Sequence, residues 1–397
     1  MAILLQIEEP PRAAPPRGLA LWQLGFRPFY LLASSFAALS VALWAAQMLG
    51  WLPFSYLHSP AWHAHEMLFG FTLAVVVGFL FTAGRNWAGQ PTPSGGALAA
   101  LAGLWLAARV LALTPYTTAT ALANLGFAWA CAWGLWRALH AGGNRRNYFF
   151  VALLVALGLA SVAVQAALAG VLPLPPWAGL QLGLDLVLFI VSVMGGRVIP
   201  MFTNNGVPGA QAQRQPMVER MALGSVLALL VLDASGLPAP WLVPLLLATA
   251  FAHAWRLWLW QPWRTLRTPL VWVLHAAYAW IPLHLALRAG AAVGWLPPSI
   301  AAHALTAGAI SGLIIGMMTR TARGHTARPL RADRWDVTMY ALVLGAALLR
   351  VLPPLLWPAS YPLAIGSSAL LWSAGFAAYA LRYGPMLLRP RLDGKPG

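Results

Sequence analysis

The sequence predicts an all-α membrane protein in which one polytopic bundle of about 12 helices spans the bilayer. Hydrophobic residues make up 60% of the 397 residues and charged residues only 9%, a composition typical of polytopic membrane proteins. Twelve apolar stretches have about the 20-residue length that a membrane-spanning helix needs. Several of them contain histidines and carboxylates, which are costly at membrane depth and mark candidate functional sites.

The twelve predicted spans follow one another through short loops and leave no room for a soluble domain. Their expected ranges are 29–51, 62–83, 96–114, 119–139, 148–171, 177–200, 217–235, 239–258, 269–289, 298–319, 336–353 and 360–382. The chain therefore divides into an N-terminal segment 1–28, a single transmembrane domain 29–383 and a tail 384–397. Residues 1–28 are rich in proline and lack a sustained apolar core, so we do not expect a secretory signal peptide.

Basic residues set the predicted orientation. With the N-terminus in the cytoplasm, all but three of the 25 Lys and Arg residues lie on the cytoplasmic side, the exceptions being Arg109, Arg288 and Arg350. Under the positive-inside rule, both termini are then cytoplasmic. The net charge of +16 is spread over short loops, which indicates contact with the lipid bilayer and no nucleic-acid partner. The single Cys131 excludes an intrachain disulfide and a cysteine-rich metal site.

Titratable residues form a layer near the predicted outer surface. Its members are His63, His65, Glu66, Asp185, Asp233, His284 and His303. A lone histidine such as His58, His140 or His253 is more often a hydrogen-bonded structural residue. In the outer layer, however, three spans carry imidazoles at a similar depth, and imidazole is the usual protein ligand for haem iron and copper.

The second and tenth spans share an internal pattern, His-x4-Gly-x7-Gly. It reads His65, Gly70, Gly78 in one span and His303, Gly308, Gly316 in the other. If the repeat is genuine, His65 and His303 lie at equivalent depths and form the axial pair of a six-coordinate haem. This plan resembles haem-copper oxidases, in which twelve helices form three four-helix units, although their copper-binding histidines are missing here. The alternative is that the glycines serve helix packing alone.

The residues around His65 raise a second metal possibility. His63 and His65 diverge by about 200° on a helix, so they cannot share one metal face. His63 and Glu66 share a face, and one imidazole could bind haem while the other, with Glu66 or His284, binds copper. Asp185 could orient a ligating imidazole, lie on a proton path, or partner a nearby donor.

Two unusual helix ends lie on the cytoplasmic side. In the sixth span, Gly195 and Gly196 precede Arg197 and Pro200, which predicts a weakened helix that stops there. Arg197 could hold a carboxylate or phosphate, or act only as a topogenic arginine. In the tenth span, His325 could join His275 in a second metal or proton site.

Long motifs then identify the chain as resembling the NnrS family of bacterial inner-membrane proteins. They are Gly25–Phe29, Trp62–Phe71, Gly195–Asn204, Leu274–Tyr278 and His303–Leu330. The resemblance implies haem and copper as cofactors, a link to denitrification and nitric-oxide-response genes, and relief of nitrosative stress. The motif positions it carries are His63, His65, Glu66, Arg197, His275, His303, Arg320 and His325. Thr203 and Asn204 end the Gly195–Asn204 motif and are expected to support the site.

Three functional hypotheses follow. The first is a haem/copper membrane protein that binds nitric oxide or a related small nitrogen species, or handles metal-nitrosyl species, with redox or denitrification proteins as partners. The second is a proton-coupled secondary transporter that uses the buried His, Glu and Asp residues. The third is a haem-bound sensor or assembly partner without turnover. Whether the protein is an enzyme is left open by the sequence.

Overall fold

A computed structural model describes residues 18–52 and 60–395, and within them the chain folds into twelve helices, named α1 to α12. Their bounds are Phe26–Met48, Pro60–Ala88, Gly95–Leu111, Thr117–Ala141, Phe149–Leu168, Pro176–Gly206, Pro216–Ala234, Val243–Leu259, Pro269–Ala292, Pro298–His325, Arg334–Leu356 and Tyr361–Leu388. The predicted N-terminal segment 1–28 is described only from residue 18, and His58 lies outside the described residues.

The predicted fold class is confirmed. Among the described residues there is no β-strand, and nine helices are long and apolar enough to cross a membrane. Large apolar side chains such as Leu370 and Leu381 are exposed on the outside of the bundle, where a bilayer would cover them. The protein is therefore a multi-pass membrane protein in contact with lipid.

Every fourth helix is central. The most buried candidate spans are α2, α10 and α6, whose apolar windows are 89%, 78% and 67% buried. The first and last helices pack together, since the Trp372 indole donates to the Ala37 carbonyl at 3.3 Å. The bundle thus closes on itself around α2, α6 and α10, with the period expected of three four-helix units.

Three helices end about six residues beyond their predicted C-terminal ends. Helix α6 does not stop at Pro200 but continues to Gly206. A proline inside a helix clashes with the carbonyl four residues earlier and removes one hydrogen bond, and packing in the bundle outweighs that cost here. Helices α10 and α12 extend to His325 and Leu388, so the predicted tail from residue 384 begins inside a helix.

Helices α2 and α10 share a rare backbone feature. Each begins with six α-helical residues that end in a histidine, His65 and His303. Each then widens into a seven-residue π-helix, Glu66–Thr72 and Ala304–Ile310, before returning to α-helix. Because π-helical turns are uncommon and concentrate at functional sites, this match extends the predicted His-x4-Gly-x7-Gly repeat to the backbone.

Candidate functional site

A pair of parallel imidazoles lies between the first turns of α2 and α10. The rings of His63 and His303 have centroids 6.5 Å apart and planes only 11° from parallel. The other face of His63 stacks on the Trp44 indole of α1, with centroids 4.1 Å apart. Three helices therefore build this site, and we name these three residues the histidine pair and its tryptophan.

Hydrogen bonding defines which nitrogens of the pair carry lone pairs. His303 Nδ1 lies 2.6 Å from the Ser299 carbonyl oxygen. Because a carbonyl oxygen only accepts, Nδ1 holds the proton and Nε2 keeps its lone pair. His63 Nδ1 is buried without a hydrogen-bond partner in the described part of the chain. Each ring thus has a nitrogen without a hydrogen-bond partner among the described residues, as a metal ligand requires.

An arginine without a carboxylate partner lies beside the pair. Arg350 of α11 is within electrostatic range of both His63 and His303. Its Nη2 donates to the Tyr361 hydroxyl at 3.3 Å, while Nη1 is buried with no acceptor among residues 18–52 and 60–395. A buried guanidinium of this kind attracts an anionic group such as a carboxylate.

The spacing of the pair suits one metal between two opposed imidazoles. With about 2.0–2.1 Å between a metal and each ring nitrogen, the two ring centroids would be roughly 6 Å apart. Groups of three or more His, Cys, Asp or Glu side chains able to hold a metal do not occur among the described residues. The separation of 6.5 Å therefore allows two protein ligands on one metal, as in a six-coordinate haem. Because imidazole lone pairs lie in the ring plane, the two stacked rings would have to turn edge-on to bind it.

His65 belongs to a different cluster. Its Nδ1 lies 2.8 Å from Glu66 Oε1 and its Nε2 lies 2.9 Å from Ser161 Oγ. The other oxygen of Glu66 accepts from Arg109 Nη1 at 2.7 Å, and Arg109 also donates to Asn124. We name His65, Glu66 and Arg109 the α2 ion cluster. Both nitrogens of His65 are engaged, and Glu66 is turned away from the face of His63.

The structure therefore brings His303 beside His63 and not beside His65. The two histidines of α2 diverge, as their two-residue spacing predicts, and the side facing α10 belongs to His63. The haem-ligand role of His65 stays a prediction, and it would require Nε2 to leave Ser161.

Two more residues of the predicted outer layer, Asp185 and Asp233, form an ion cluster with Arg288. Arg288 of α9 donates to Asp185 Oδ1 at 3.2 Å and to Asp233 Oδ2 at 2.6 Å, and Gln181 donates to the same oxygen of Asp185 at 2.9 Å. His284 Nδ1 donates to the Ala301 carbonyl at 2.7 Å. Asp185 thus accepts hydrogen bonds from nearby donors. Of its three predicted roles, these contacts favour that of a partner for a nearby donor.

The two glycines near the end of α6 make room for a buried ion pair. Arg256 of α8 donates to both oxygens of Glu219, at 2.8 and 2.6 Å, and to the Tyr278 hydroxyl at 2.9 Å. A side chain at residue 196 would overlap the Arg256 guanidinium, and one at residue 195 would press on the Tyr278 ring at 3.0 Å. Gly195 and Gly196 are therefore explained by close approach of neighbouring helices.

The other motif residues on this side make separate contacts. Arg197 donates to Asn147 Oδ1 at 2.7 Å and lies over aromatic rings of α5. Asn204 exchanges two hydrogen bonds with the Ala212 backbone, at 3.0 and 2.7 Å. The Arg320 guanidinium lies 3.7 Å from the centre of the Phe202 ring. These contacts fix the ends of α6 and α10 to their surroundings.

His275 and His325 contact different neighbours. His275 Nε2 lies 2.8 Å from Thr203 Oγ1, whose own proton goes to the Ile199 carbonyl, so Nε2 is the donor. The His325 ring lies instead on Phe26 of α1, with centroids 5.6 Å apart. The two imidazoles thus contact different residues, and the second metal or proton site stays a prediction.

Sequence reasoning missed Trp44, Arg256 and the roles of Arg109 and Arg350. A usable signal did exist for the last two, because they are among the three basic residues that violate the predicted positive-inside distribution. An arginine retained on the wrong side is a candidate for a buried partner. Trp44 gives no such signal in a chain with 21 tryptophans.

Comparison with curated proteins finds no match for this chain. The family described as NnrS protein, in contrast, matches residues 20–391. This range covers nearly the whole described chain, including all twelve helices up to the end of α12. The chain therefore belongs to the NnrS family.

Proposed function

We propose that this chain is an integral membrane haem or copper protein of nitric-oxide metabolism or nitrosative-stress resistance, which binds nitric oxide or handles metal-nitrosyl species at the histidine pair. The observation that carries the proposal is the approach of the His63 and His303 rings to 6.5 Å between centroids, with a nitrogen of each ring that has no hydrogen-bond partner among the described residues. The link to nitric oxide comes from the family resemblance described above.

The residues present fit a haem. His63 and His303 would hold it through their ring nitrogens, and Arg350 would supply a positive charge for one of its carboxylates. When bound, the haem would supply an iron centre for a diatomic nitrogen oxide. Copper also accepts imidazole ligands, so the same pair is the first candidate for copper.

The two imidazoles are held differently. The Ser299 carbonyl anchors His303 through Nδ1 and fixes its ring orientation, as outer partners of metal-bound histidines generally do. His63 is held by stacking on Trp44, and its Nδ1 has no hydrogen-bond partner among the described residues. His63 is therefore the ligand with more freedom to make way for a second molecule.

The proposal includes an orientation. The arginine-rich ends of the helices face the cytoplasm of a bacterial inner membrane, and both termini lie there. The histidine pair then lies in the periplasmic half, where uncharged nitric oxide arrives through lipid or water. Redox or denitrification partner proteins would approach from the same side.

Spectroscopy and metal analysis of the purified protein test this proposal. We expect a haem Soret band that shifts on addition of nitric oxide, or copper in near-stoichiometric amount. His63→Ala should remove most of the metal centre, whereas His140→Ala should keep it, because His140 bonds to Tyr148 at the far end of α4. A folded wild-type protein with neither a Soret band nor copper contradicts the proposal.

The transporter hypothesis has one observation in its favour. Asp185 Oδ2 and His284 Nε2 are buried without hydrogen-bond partners in the part of the chain that is described, and unpaired titratable groups in a membrane are typical of proton paths. Substrate or proton flux through vesicles containing metal-free protein would support that hypothesis.

A further inference from the structure

A second set of unsatisfied polar atoms lies at the opposite end of the bundle, far from the histidine pair. Arg27, in the first turn of α1, is fully buried at 0% exposure. Its Nη1 donates to the carbonyls of Leu387 and Arg389 at 2.9 and 2.7 Å, at the end of α12. Its Nε and Nη2 have no acceptor among the described residues. Two charged donors are thus buried and unused.

Arg328, just after α10, repeats this situation. Its Nη1 is also buried and finds no acceptor within residues 18–52 and 60–395. Arg27 is within electrostatic range of both Arg328 and Arg391. The turn that carries Arg328 includes Ala327 with a φ of +58°, a left-handed conformation that is costly for alanine. This conformation ends α10, because the Arg328 amide then donates to the Arg323 carbonyl at 2.9 Å.

The carboxylates at this end are already paired. Asp333 and Asp336 pair with Arg323, and Asp333 also pairs with Arg382. Arg391 is paired with Asp393 through two hydrogen bonds of 2.9 and 2.8 Å, which keep the pKa of the Asp393 carboxyl below its usual range. His325 and Arg85 add further basic groups nearby. Among the described residues no carboxylate forms an ion pair with Arg27 or Arg328.

A buried guanidinium that lacks a counter-charge is strongly unfavourable, and neighbouring guanidinium groups repel each other. The free donors of Arg27, in α1, and of Arg328, in the loop after α10, need several acceptor oxygens at once. A phosphate group meets this need, because it offers three or more oxygens and pairs with arginine forks. A single neutral water provides neither the charge nor enough acceptors.

We propose that Arg27 and Arg328 form a binding site for a phosphate group at the arginine-rich end of the bundle. The group belongs either to the headgroup of an anionic phospholipid or to a free phosphate compound, which share the same oxygen chemistry. Bound there, it joins the start of α1 to the ends of α10 and α12. The site is independent of the histidine pair and of any metal.

The test uses the full-length protein with two probes. Inorganic phosphate is titrated into detergent-purified protein by calorimetry, and lipid retention is measured by native mass spectrometry from nanodiscs of phosphatidylglycerol or phosphatidylcholine. We expect Arg328→Gln to weaken binding roughly tenfold or more, as for a lost charged hydrogen bond. The matched control is Arg331→Gln, an exposed arginine of the same loop, which should change binding by less than about twofold.

Arg27 also caps α12, so Arg27→Gln could unfold the protein and is replaced by Arg27→Lys. Lysine keeps the charge but lacks the planar fork, and should weaken binding while the thermal transition persists. Saturable binding of inorganic phosphate that Arg328→Gln reduces supports a free phosphate compound. Selective retention of phosphatidylglycerol, lost in Arg328→Gln, supports a lipid headgroup. Wild-type protein that binds neither probe, or binds them no better than Arg328→Gln, overturns the proposal.

Discussion

Helices α2 and α10 begin with the same backbone and use it for different chemistry. In each, six α-helical residues end in a histidine and a seven-residue π-helix follows. A hydroxyl at the end of each π segment donates to the carbonyl five residues earlier, Thr72 to Met67 at 2.8 Å and Ser311 to Thr306 at 2.6 Å. The local geometry is thus reproduced, down to its hydrogen bonds.

The side chains around the two histidines differ. His65 is enclosed by Glu66 and Ser161, which engage both of its nitrogens. His303 is fixed at one nitrogen by Ser299 and faces His63. The comparison teaches that a repeated backbone can carry a closed polar cluster in one copy and, in the other, a histidine that is hydrogen-bonded at one nitrogen only.

Replacing each histidine with alanine is the strongest test of this difference. We expect His303→Ala to lose most of the bound haem or copper, because it removes an anchored ligand. His65→Ala should retain the metal and instead lower the thermal stability, because Glu66 loses a partner. Absorption spectra, metal content and thermal unfolding of both purified variants provide the measurements. Equal loss of metal in the two variants would make His65 a ligand and contradict the comparison.

The α2 ion cluster should give the next largest effect. Arg109→Gln leaves the buried Glu66 carboxylate without its guanidinium, which we expect to destabilise the protein by about 3–5 kcal/mol. The double variant Glu66→Gln/Arg109→Gln should recover part of that loss, since it removes the uncompensated charge. Unfolding in mixed micelles measures both.

Arg214→Gln is the matched control for the Arg109 change. Arg214 is an exposed partner of Glu219 at 3.2 Å, and its loss should cost less than about 1 kcal/mol. A double variant as unstable as Arg109→Gln alone would show that the buried charge of Glu66 is not what destabilises the single variant.

The glycines inside the π segments should give the smallest effect. A methyl group at residue 308 would overlap the Trp280 ring, so Gly308→Ala should destabilise the protein by about 1–3 kcal/mol. Gly103→Ala, in α3, is the control: its side chain would meet open space and should be neutral or slightly stabilising. The midpoint of thermal unfolding checks both, and equal midpoints would contradict a packing role for Gly308.

Most of the fold could be predicted because it depends on local composition. The apolar length of each stretch located the helices. The expected stop at Pro200 failed, since a proline weakens a helix locally but packing across the bundle decides whether it ends. Gly195 and Gly196 do not belong to a helix stop. They are needed because Tyr278 and Arg256, which are distant in sequence, pack against the backbone there.

The sequence predicts how deep each site residue lies in the membrane, but it does not predict which side of its helix faces the neighbouring helix. The two-residue spacing predicts different faces for His63 and His65, and the two rings have different neighbours. The ligand role of either histidine stays a prediction. Which face meets α10 depends on lateral contacts that no local pattern encodes, such as the bond between His65 and Ser161 from α5. The internal repeat favoured His65, because it equates positions along the chain and not directions across the bundle.

The π segments allow each long span to meet two requirements separately, namely the direction of its first six residues and the packing of the longer remainder. One residue more or fewer in such a segment turns everything before it by about 100° relative to everything after it. The outer six residues can therefore be re-aimed by a single insertion or deletion while the long inner part keeps its packing register. Among related proteins that differ by such an insertion or deletion, the histidine that faces the neighbouring helix can change position along the span while the rest of the bundle keeps its packing.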